Sequence, residues 1–340
     1  MMSTFWHTLP RPFFILAPME AVTDVVFRHV ITRAGQPDVF FTEFTNAMGW
    51  YRAGDKAIGG RLIKTDDESP IVAQLWGSDP EAMAAMSGYC RQLGYDGIDI
   101  NMGCPDQSAV KAGGGAGMIR TPEKAWAIIK AAKSGGLPVS VKTRLGYSNV
   151  DEWREWLGGL LRQDIAVLTV HLRTKKEMSK VPAHFELIPE IKKLRDELAP
   201  DTLLVINGDV RDRVHGIEFY DTYGIDGIMI GRGIFTNPYA FSDRTDKPSK
   251  QEFDRQEPAA KQRAGDDASG DQHDKLIELL RFHLDEYDRY YQQTSRPFET
   301  LKRFFKIYIR DFDGASDLRV ELMNCTTTEE VRSILDRQVC

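Results

Sequence analysis

Along the first 240 or so residues, short apolar runs rich in β-branched and aromatic side chains alternate with longer stretches whose apolar positions return every three or four residues. The first pattern is that of buried strands and the second that of amphipathic helices. Eight runs are found: "FFILAPM", "VFFTEF", "IVAQLWG", "GIDINMG", "VSVKTRLG", "VLTVHLR", "LLVINGDV" and "GIMIGRG". Between them, "SDPEAMAAMSGYCRQLG" predicts a helix capped by Ser78 or Asp79 with Pro80 in its first turn. "TPEKAWAIIKAAKSGG" predicts another, opened by Thr121 and Pro122 and closed by a glycine pair. Eight strand–helix units predict an α/β protein built as a (β/α)8 TIM barrel over residues 1–241; an open doubly wound sheet more often stops at five or six strands.

From Ser242 the pattern breaks. "SDRTDKPSKQEFDRQEPAAKQRAGDDASGDQHD" is charged and nearly free of large apolar side chains, so it cannot bury enough surface to offset its chain entropy. Residues 242–274 therefore read as a polar flexible linker or insertion. Helical periodicity returns in "KLIELLRFHLDEYDRYYQQ", "PFETLKRFFKIYIRDF" and "TTEEVRSIL", with a loop containing "DGAS" between the last two, which predicts a small all-α domain over 275–340.

Composition narrows the class. The chain of 340 residues is 42% hydrophobic and 28% charged, and no stretch approaches the roughly 18 apolar residues of a membrane span. The N-terminal "MMSTFWHTLPRPF" lacks the pattern of a secretory signal, and Cys90, Cys104, Cys325 and Cys340 show neither CxxC spacing nor a disulfide framework. A cytoplasmic chain with reduced thiols, working as a monomer, is the expectation. The formal charge of −6 argues weakly against a polyanionic partner. Yet between Arg296 and Arg310 five basic residues face one acid, Glu299, so this stretch reads either as a solvated helix face or as a contact surface.

In a (β/α)8 barrel the active site uses the C-terminal ends of the strands and the loops after them. Met19, Gln74, Asn101, Lys142, His171, Asn207 and Arg232 all lie at or near such ends. One polar residue there is commonly a turn or cap; seven around a ring imply a site. Glycines follow the last two runs, in "INGDV" and "IGRGIF". Either pair alone reads as a tight turn, but together they match the phosphate site that these loops often form, to which Arg232 adds a charge-assisted donor. Neither GxGxxG after the first strand nor GxxxxGK[ST] is present, which excludes a Rossmann or P-loop signature. A phosphate-bearing cofactor in a barrel mouth points to FMN.

"APMEAVTD", "AQLWG", "DINMGCP", "GGGAGM", "VKTRLG", "VHLRT", "INGDV" and "GRG" occur in the order seen in tRNA-dihydrouridine synthases, and "LKRFFKIYIRDFDGASDLRVELM" resembles the helical tRNA-binding domain of that family. The resemblance implies FMN against Pro18 and Met19, with Gln74 and Lys142 on the isoalloxazine ring and His171 bordering flavin and substrate. Asn207, Gly208, Asp209, Gly231 and Arg232 would hold the ribityl phosphate region. It implies NADPH or NADH as electron donor and tRNA as substrate, with Asn101 bonding the base or the adjacent backbone and Arg173 binding substrate. Lys175, with Lys176 and Lys180 beside it, and Lys302, Arg303 and Lys306 would meet the RNA, the last three on one basic helix from Arg296 to Arg310. Cys104 would then be the acid that protonates C5 of uracil, since a thiol of ordinary pKa, about 8.5, is mostly protonated at neutral pH; the other reading of Cys104 is a small buried hydrophobe.

Two departures from the family pattern stand out: Leu172 follows the strand-six histidine where glycine is common, and Asp106 follows "GCP" where a small or basic residue is common. The rival readings are an FMN barrel acting on a small molecule, similar to a dihydroorotate dehydrogenase or an ene-reductase, and a barrel that binds RNA without redox chemistry.

Overall fold

The computed structural model describes residues 4–242 and 266–338, and each of the eight apolar runs contributes to one parallel sheet. The strands are β1 (Phe13–Leu16), β2 (Phe40–Phe41), β3 (Thr45–Asn46), β4 (Ile71–Trp76), β5 (Gly97–Met102), β6 (Val139–Arg144), β7 (Val167–His171), β8 (Leu203–Asn207) and β9 (Gly227–Ile230). Their order is β1-β9-β8-β7-β6-β5-β4-β2, and β3 pairs with β4 beyond β2. A parallel bridge between Ile15 and Val39, with the Asp38 and Val39 amides donating to the Phe14 carbonyl, closes the ring between β1 and β2. The (β/α)8 expectation therefore holds, with the second barrel position divided into two short pieces around Thr42–Phe44.

Successive side chains of a strand face opposite sides, and the core follows that rule. Phe13, Ile15, Val72, Val167, Val205 and Met229 point inward and, with Trp6, fill the N-terminal end of the barrel. Their neighbours Phe14, Leu16, Ile98, Ile100, Leu168 and Ile206 point outward into a second apolar layer beneath the helices. Helix Pro80–Gln92 starts as expected, Asp79 Oδ1 accepting from the Ala82 amide at 2.8 Å. Helix Pro122–Lys133 also starts at the expected place, but the Thr121 side chain makes no cap bond.

Of the stretch read as linker, residues 243–265 lie outside the described residues. The helix that follows is Asp266–Thr294, so it opens before residue 275, where the helical part was expected to begin. It packs on helix Val25–Ala34, where Phe27 stacks on Phe304 at 4.7 Å between ring centres. Nearby, buried His283 bonds the Tyr308 hydroxyl at 2.8 Å, and burial pushes its pKa down to about 3, which keeps the ring neutral.

The basic stretch needs correction. Arg296 to Arg310 is not one helix but two single turns, Glu299–Lys302 and Phe305–Tyr308. Phe304, Phe305, Ile307, Tyr308 and Ile309 are all buried, so apolar side chains leave the segment in several directions and a single amphipathic face cannot accommodate them. Helix Ala315–Asn324, which begins within the "DGAS" loop, was not anticipated, whereas Thr328–Gln338 matches the last periodic stretch. Because Phe27 is 1% exposed, Phe27→Ala is expected to cost about 3–5 kcal/mol; equilibrium urea unfolding checks this, and a loss below about 1 kcal/mol would show that the ring stack does not hold the helical part to the barrel.

Candidate active site

The inward positions change character towards the C-terminal end of the barrel. Ladder register sets Gln74 beside Asp99, Asp99 beside Ser140, Asn101 beside Lys142, and Arg144 beside His171, which itself neighbours Asn207. All of these belong to the inward set because they differ by two within each strand. Strand periodicity thus gathers at one mouth the polar residues that the sequence scatters over more than 130 positions.

Asp99 anchors the layer below the mouth. It is fully buried, accepts from Ser140 Oγ at 2.6 Å and from Gln74 Nε2 at 2.7 Å, and burial raises its pKa to about 6 against the opposing pull of these bonds and of Lys142. With its amide nitrogen turned to Asp99, Gln74 presents Oε1 to Asn101 Nδ2 at 3.0 Å. Asn101 is thereby oriented with Oδ1 towards the loop, accepting from the Gly103 amide at 3.1 Å and the Cys104 amide at 2.9 Å. Of the two partners expected for Asn101, the observed one is the adjacent backbone. Gln74, itself fully buried, keeps one N–H and one lone pair beyond these two bonds.

Cys104 is half-buried and free of any disulfide, and burial raises its thiol above the ordinary range. Its carbonyl accepts from the Ala116 amide at 2.9 Å. Gly115, at φ 53°, approaches so closely that a β-carbon there would stand 2.7 Å from that carbonyl, which explains the glycine in "GGGAGM". Asp106 caps helix Gln107–Lys111 through the Ser108 and Ala109 amides, so this departure from the family pattern has a local structural use. Leu172, the other departure, is fully buried in the outward apolar layer.

Arg144 and Asp99 are the residues that sequence reasoning missed. Arg144 Nε donates to the Gly103 carbonyl at 2.8 Å, and Nη1 to the Thr174 and Met178 carbonyls at 3.1 and 2.9 Å, so one guanidinium ties the Cys104 loop to the loop after β7. Its burial beside Arg173 lowers its pKa to about 10. Both were findable: Arg144 lies two residues beyond Lys142 and Asp99 two before Asn101, on the same strand faces.

Lys142 is half-buried with no hydrogen-bond or ion-pair partner among the described residues, and burial followed by Arg144 lowers its pKa to about 8. His171 Nδ1 is buried with no hydrogen-bond partner among the described residues, and burial together with the surrounding cations holds the ring neutral. Asn207 donates to the Met229 carbonyl at 2.8 Å. Arg173 is 2% exposed, bonded to Asp209, and its Nη1 has no hydrogen-bond partner among the described residues. Its Nη1 lies against Gly208, in the loop after β8. Asp209 also receives Arg232 Nη2 at 3.2 Å, so its carboxylate orients two arginines. Gly208 and Asp209 are both left-handed, at φ 114° and 50°, while Pro18 is buried and Met19 Sδ lies near Gly231. Lys175 packs over the Tyr147 ring at 5.1 Å on the same rim. Lys302 is half-buried and Lys306 exposed, both on the helical part, while Arg303 donates to the Ala21 carbonyl of the barrel.

The Lys142 ammonium and the Arg173 Nη1 thus leave positive charge at the mouth incompletely bonded, a setting that favours an anionic occupant. Glycine-bearing turns after the last two strands of a closed parallel barrel are where such an occupant carries a phosphate, and the class defined is a cofactor-dependent (β/α)8 barrel enzyme. The family profile described as "Dihydrouridine synthase (Dus)" matches residues 15–340, and the chain belongs to that family of flavin-dependent oxidoreductases, which reduce uridine in tRNA to dihydrouridine. A Bacillus subtilis (strain 168) protein named "Probable tRNA-dihydrouridine synthase 2" is 56% identical over 337 residues, 99% of this chain and 97% of its own. A Staphylococcus epidermidis "Probable tRNA-dihydrouridine synthase" is 53% identical over 99% of this chain and 96% of its own. Among solved structures, a 2-naphthoyl-CoA reductase complexed with 2-naphthoyl-CoA superposes with a TM-score of 0.51 at 9% identity. That match covers 67% of this chain and 49% of the reductase, about half its length, and speaks to the fold alone.

Asp99 generates a pH prediction. Its folded pKa of about 6 exceeds the ordinary value of 3.8, so the native chain holds this proton more tightly than the unfolded chain, and stability from the group is lost as pH rises from about 4 through 6. Asp99→Asn should therefore gain on the wild type between about pH 4 and pH 7, by up to about 3 kcal/mol. Urea unfolding of both proteins at the two pH values checks this; a difference independent of pH would show that Asp99 titrates as an ordinary carboxylate.

Proposed function

We propose that this chain reduces the C5=C6 bond of particular tRNA uridines to give 5,6-dihydrouridine, with FMN as its flavin, NADPH or NADH as the electron source and Cys104 as the proton donor. The observation that carries the reading is the thiol itself: half-buried, kept protonated by its surroundings, and set in a loop bonded through Asn101, Arg144 and Ala116. The mouth fits FMN on the unpartnered Lys142 Nζ, His171 Nδ1 and Arg173 Nη1. Lys142 and the free amide valences of Gln74 would hold the ring, with Pro18 and Met19 against it and His171 at its border. Gly208, the Asp209 backbone, Gly231, Arg232 and Arg173 would hold the phosphate end, beside Asn207; Arg173 and Arg232 share a single carboxylate, which leaves one positive charge for the phosphate.

When bound, FMN supplies a hydride to C6 of the base. The residues of the chain do the rest. Lys142 places a positive charge where negative charge gathers, in a setting with little water to screen it. Asn101 and Arg144 hold the Cys104 loop from below and from the side, so that Sγ meets one face of the base and passes its proton to C5, and the thiolate is reprotonated from solvent. A raised thiol pKa suits an acid that must be protonated at neutral pH. Lys175, Lys302 and Lys306 would meet RNA phosphates, which a target base inside folded tRNA requires for partial unfolding or extrusion. The chain would act on tRNA as a monomer in the cytoplasm; among the described residues no helix is long and apolar enough to cross a membrane.

The experiment is Cys104→Ala. Dihydrouridine formation in unmodified tRNA, followed by mass spectrometry, is expected to fall about 10²- to 10⁴-fold, while bound flavin is still reduced by NADPH at the wild-type rate. Unchanged conversion of uridine would remove Cys104 from the mechanism. In the wild type, loss of the proton from Sγ should lower the rate only at alkaline pH above the ordinary thiol range, whereas a fall near pH 8 would belong to Lys142.

A further inference from the structure

Part of the segment that reads as an RNA grip is turned towards the barrel. Ala21 has φ 56°, the left-handed region that residues with a β-carbon avoid. It stands two residues beyond Met19, which packs near Gly231. Both of its main-chain polar groups are held from outside the turn. The amide donates to Glu43 Oε1 at 2.6 Å, and the carbonyl accepts from Arg303 Nη1 at 3.0 Å. Glu43 is fully buried in the break between β2 and β3, and its other oxygen is taken by Arg296. Arg296 also places Nε 3.4 Å from the Asp24 carboxylate, which caps helix Val25–Ala34 through the Phe27 amide. Within the turn, Thr23 Oγ1 accepts from the Met19 amide at 2.9 Å. Two arginines from the helical part thus hold a left-handed turn, one directly and one through a buried carboxylate.

We propose that Arg303 and Arg296 are positioning residues for the turn Pro18–Thr23, so that the helical part sets the affinity of the barrel for FMN; Arg303 acts on the turn and not on an RNA phosphate. This rests on the reading of the mouth as an FMN site. Removing the Arg303 donor frees the Ala21 carbonyl and lets the turn relax towards right-handed backbone, which shifts Met19 and the wall of the site. Because the bond is solvent-exposed, water replaces part of it and the effect is moderate.

The test uses the full chain stripped of flavin and titrated with FMN by fluorescence quenching, and in parallel with unmodified tRNA by gel shift. Arg303→Met is expected to weaken FMN binding about three- to tenfold and to change tRNA affinity by no more than about twofold. Arg303→Lys, which keeps a donor, retains most of the FMN affinity. Ala21→Gly added to Arg303→Met restores part of it, since glycine adopts the left-handed conformation freely. FMN affinity unchanged in Arg303→Met, with tRNA binding weakened, overturns the proposal and makes Arg303 an RNA contact. If the methionine variant is insoluble, Arg303→Gln decides on the same two outcomes. Failure of the wild type to bind FMN overturns the cofactor reading itself, and with it this proposal.

Discussion

A carboxylate placed in the middle of a barrel must be given donors, and the two that Asp99 receives decide the orientation of everything above it. Ser140 takes one oxygen and the Gln74 amide nitrogen the other. An amide has one donor end and one acceptor end, so fixing the nitrogen of Gln74 fixes its oxygen, and that oxygen fixes Asn101. Asn101 then turns its carbonyl to the loop, where two backbone amides need an acceptor. A chain of three side chains converts a buried charge into a defined position for the Cys104 backbone. The raised pKa of Asp99 and the loop geometry are two consequences of one arrangement.

Above that relay the balance of charge reverses. Lys142, Arg144 and Arg173 crowd one mouth, and each is worked against by burial and by another of the three, or remains incompletely bonded. An anion at the mouth would complete the set. Arg144 differs from the others in that its guanidinium is largely satisfied by carbonyls, so it supplies field and rigidity together: it crosses from the Cys104 loop to the loop after β7 and keeps them in register. In the proposed role of Cys104 as proton donor, a fixed cation nearby would ease the appearance of the thiolate at the moment of transfer, while burial favours the protonated resting thiol.

The barrel was legible because its information is local. Runs of alternating or continuous apolar residues mark strands without reference to partners, and the polar residues that end them mark the mouth. Asp99 and Arg144 stood in quoted motifs yet went unused, because their value comes from partners on neighbouring strands. Nothing within "DINMGCP" reveals that Gln74 will meet Asp99, and only ladder register sets them side by side. Arg173 shows the same limit from the other direction. Its position in "VHLRT" places it near the mouth, but its partners there, Asp209 and Gly208, stand in the loop that follows the next strand.

The C-terminal segment misled for a different physical reason. Periodicity detects a helix that buries one side, and "RFFKIYI" buries residues on several sides, with Phe304 stacked on Phe27 of helix Val25–Ala34 and the turn Phe305–Tyr308 packed on helix Asp266–Thr294. A continuous helix there would expose part of that apolar surface, so the chain breaks into two turns and its polar side chains leave in different directions. Charge counting along the segment treats Arg296, Arg303 and Lys306 as one surface. In the fold Arg296 lies against two barrel carboxylates, Arg303 reaches a barrel carbonyl, and Lys306 remains exposed. A run of like charges thus divides between holding the two parts of the molecule together and facing solvent, and the division follows from where the aromatic residues between the charges are buried.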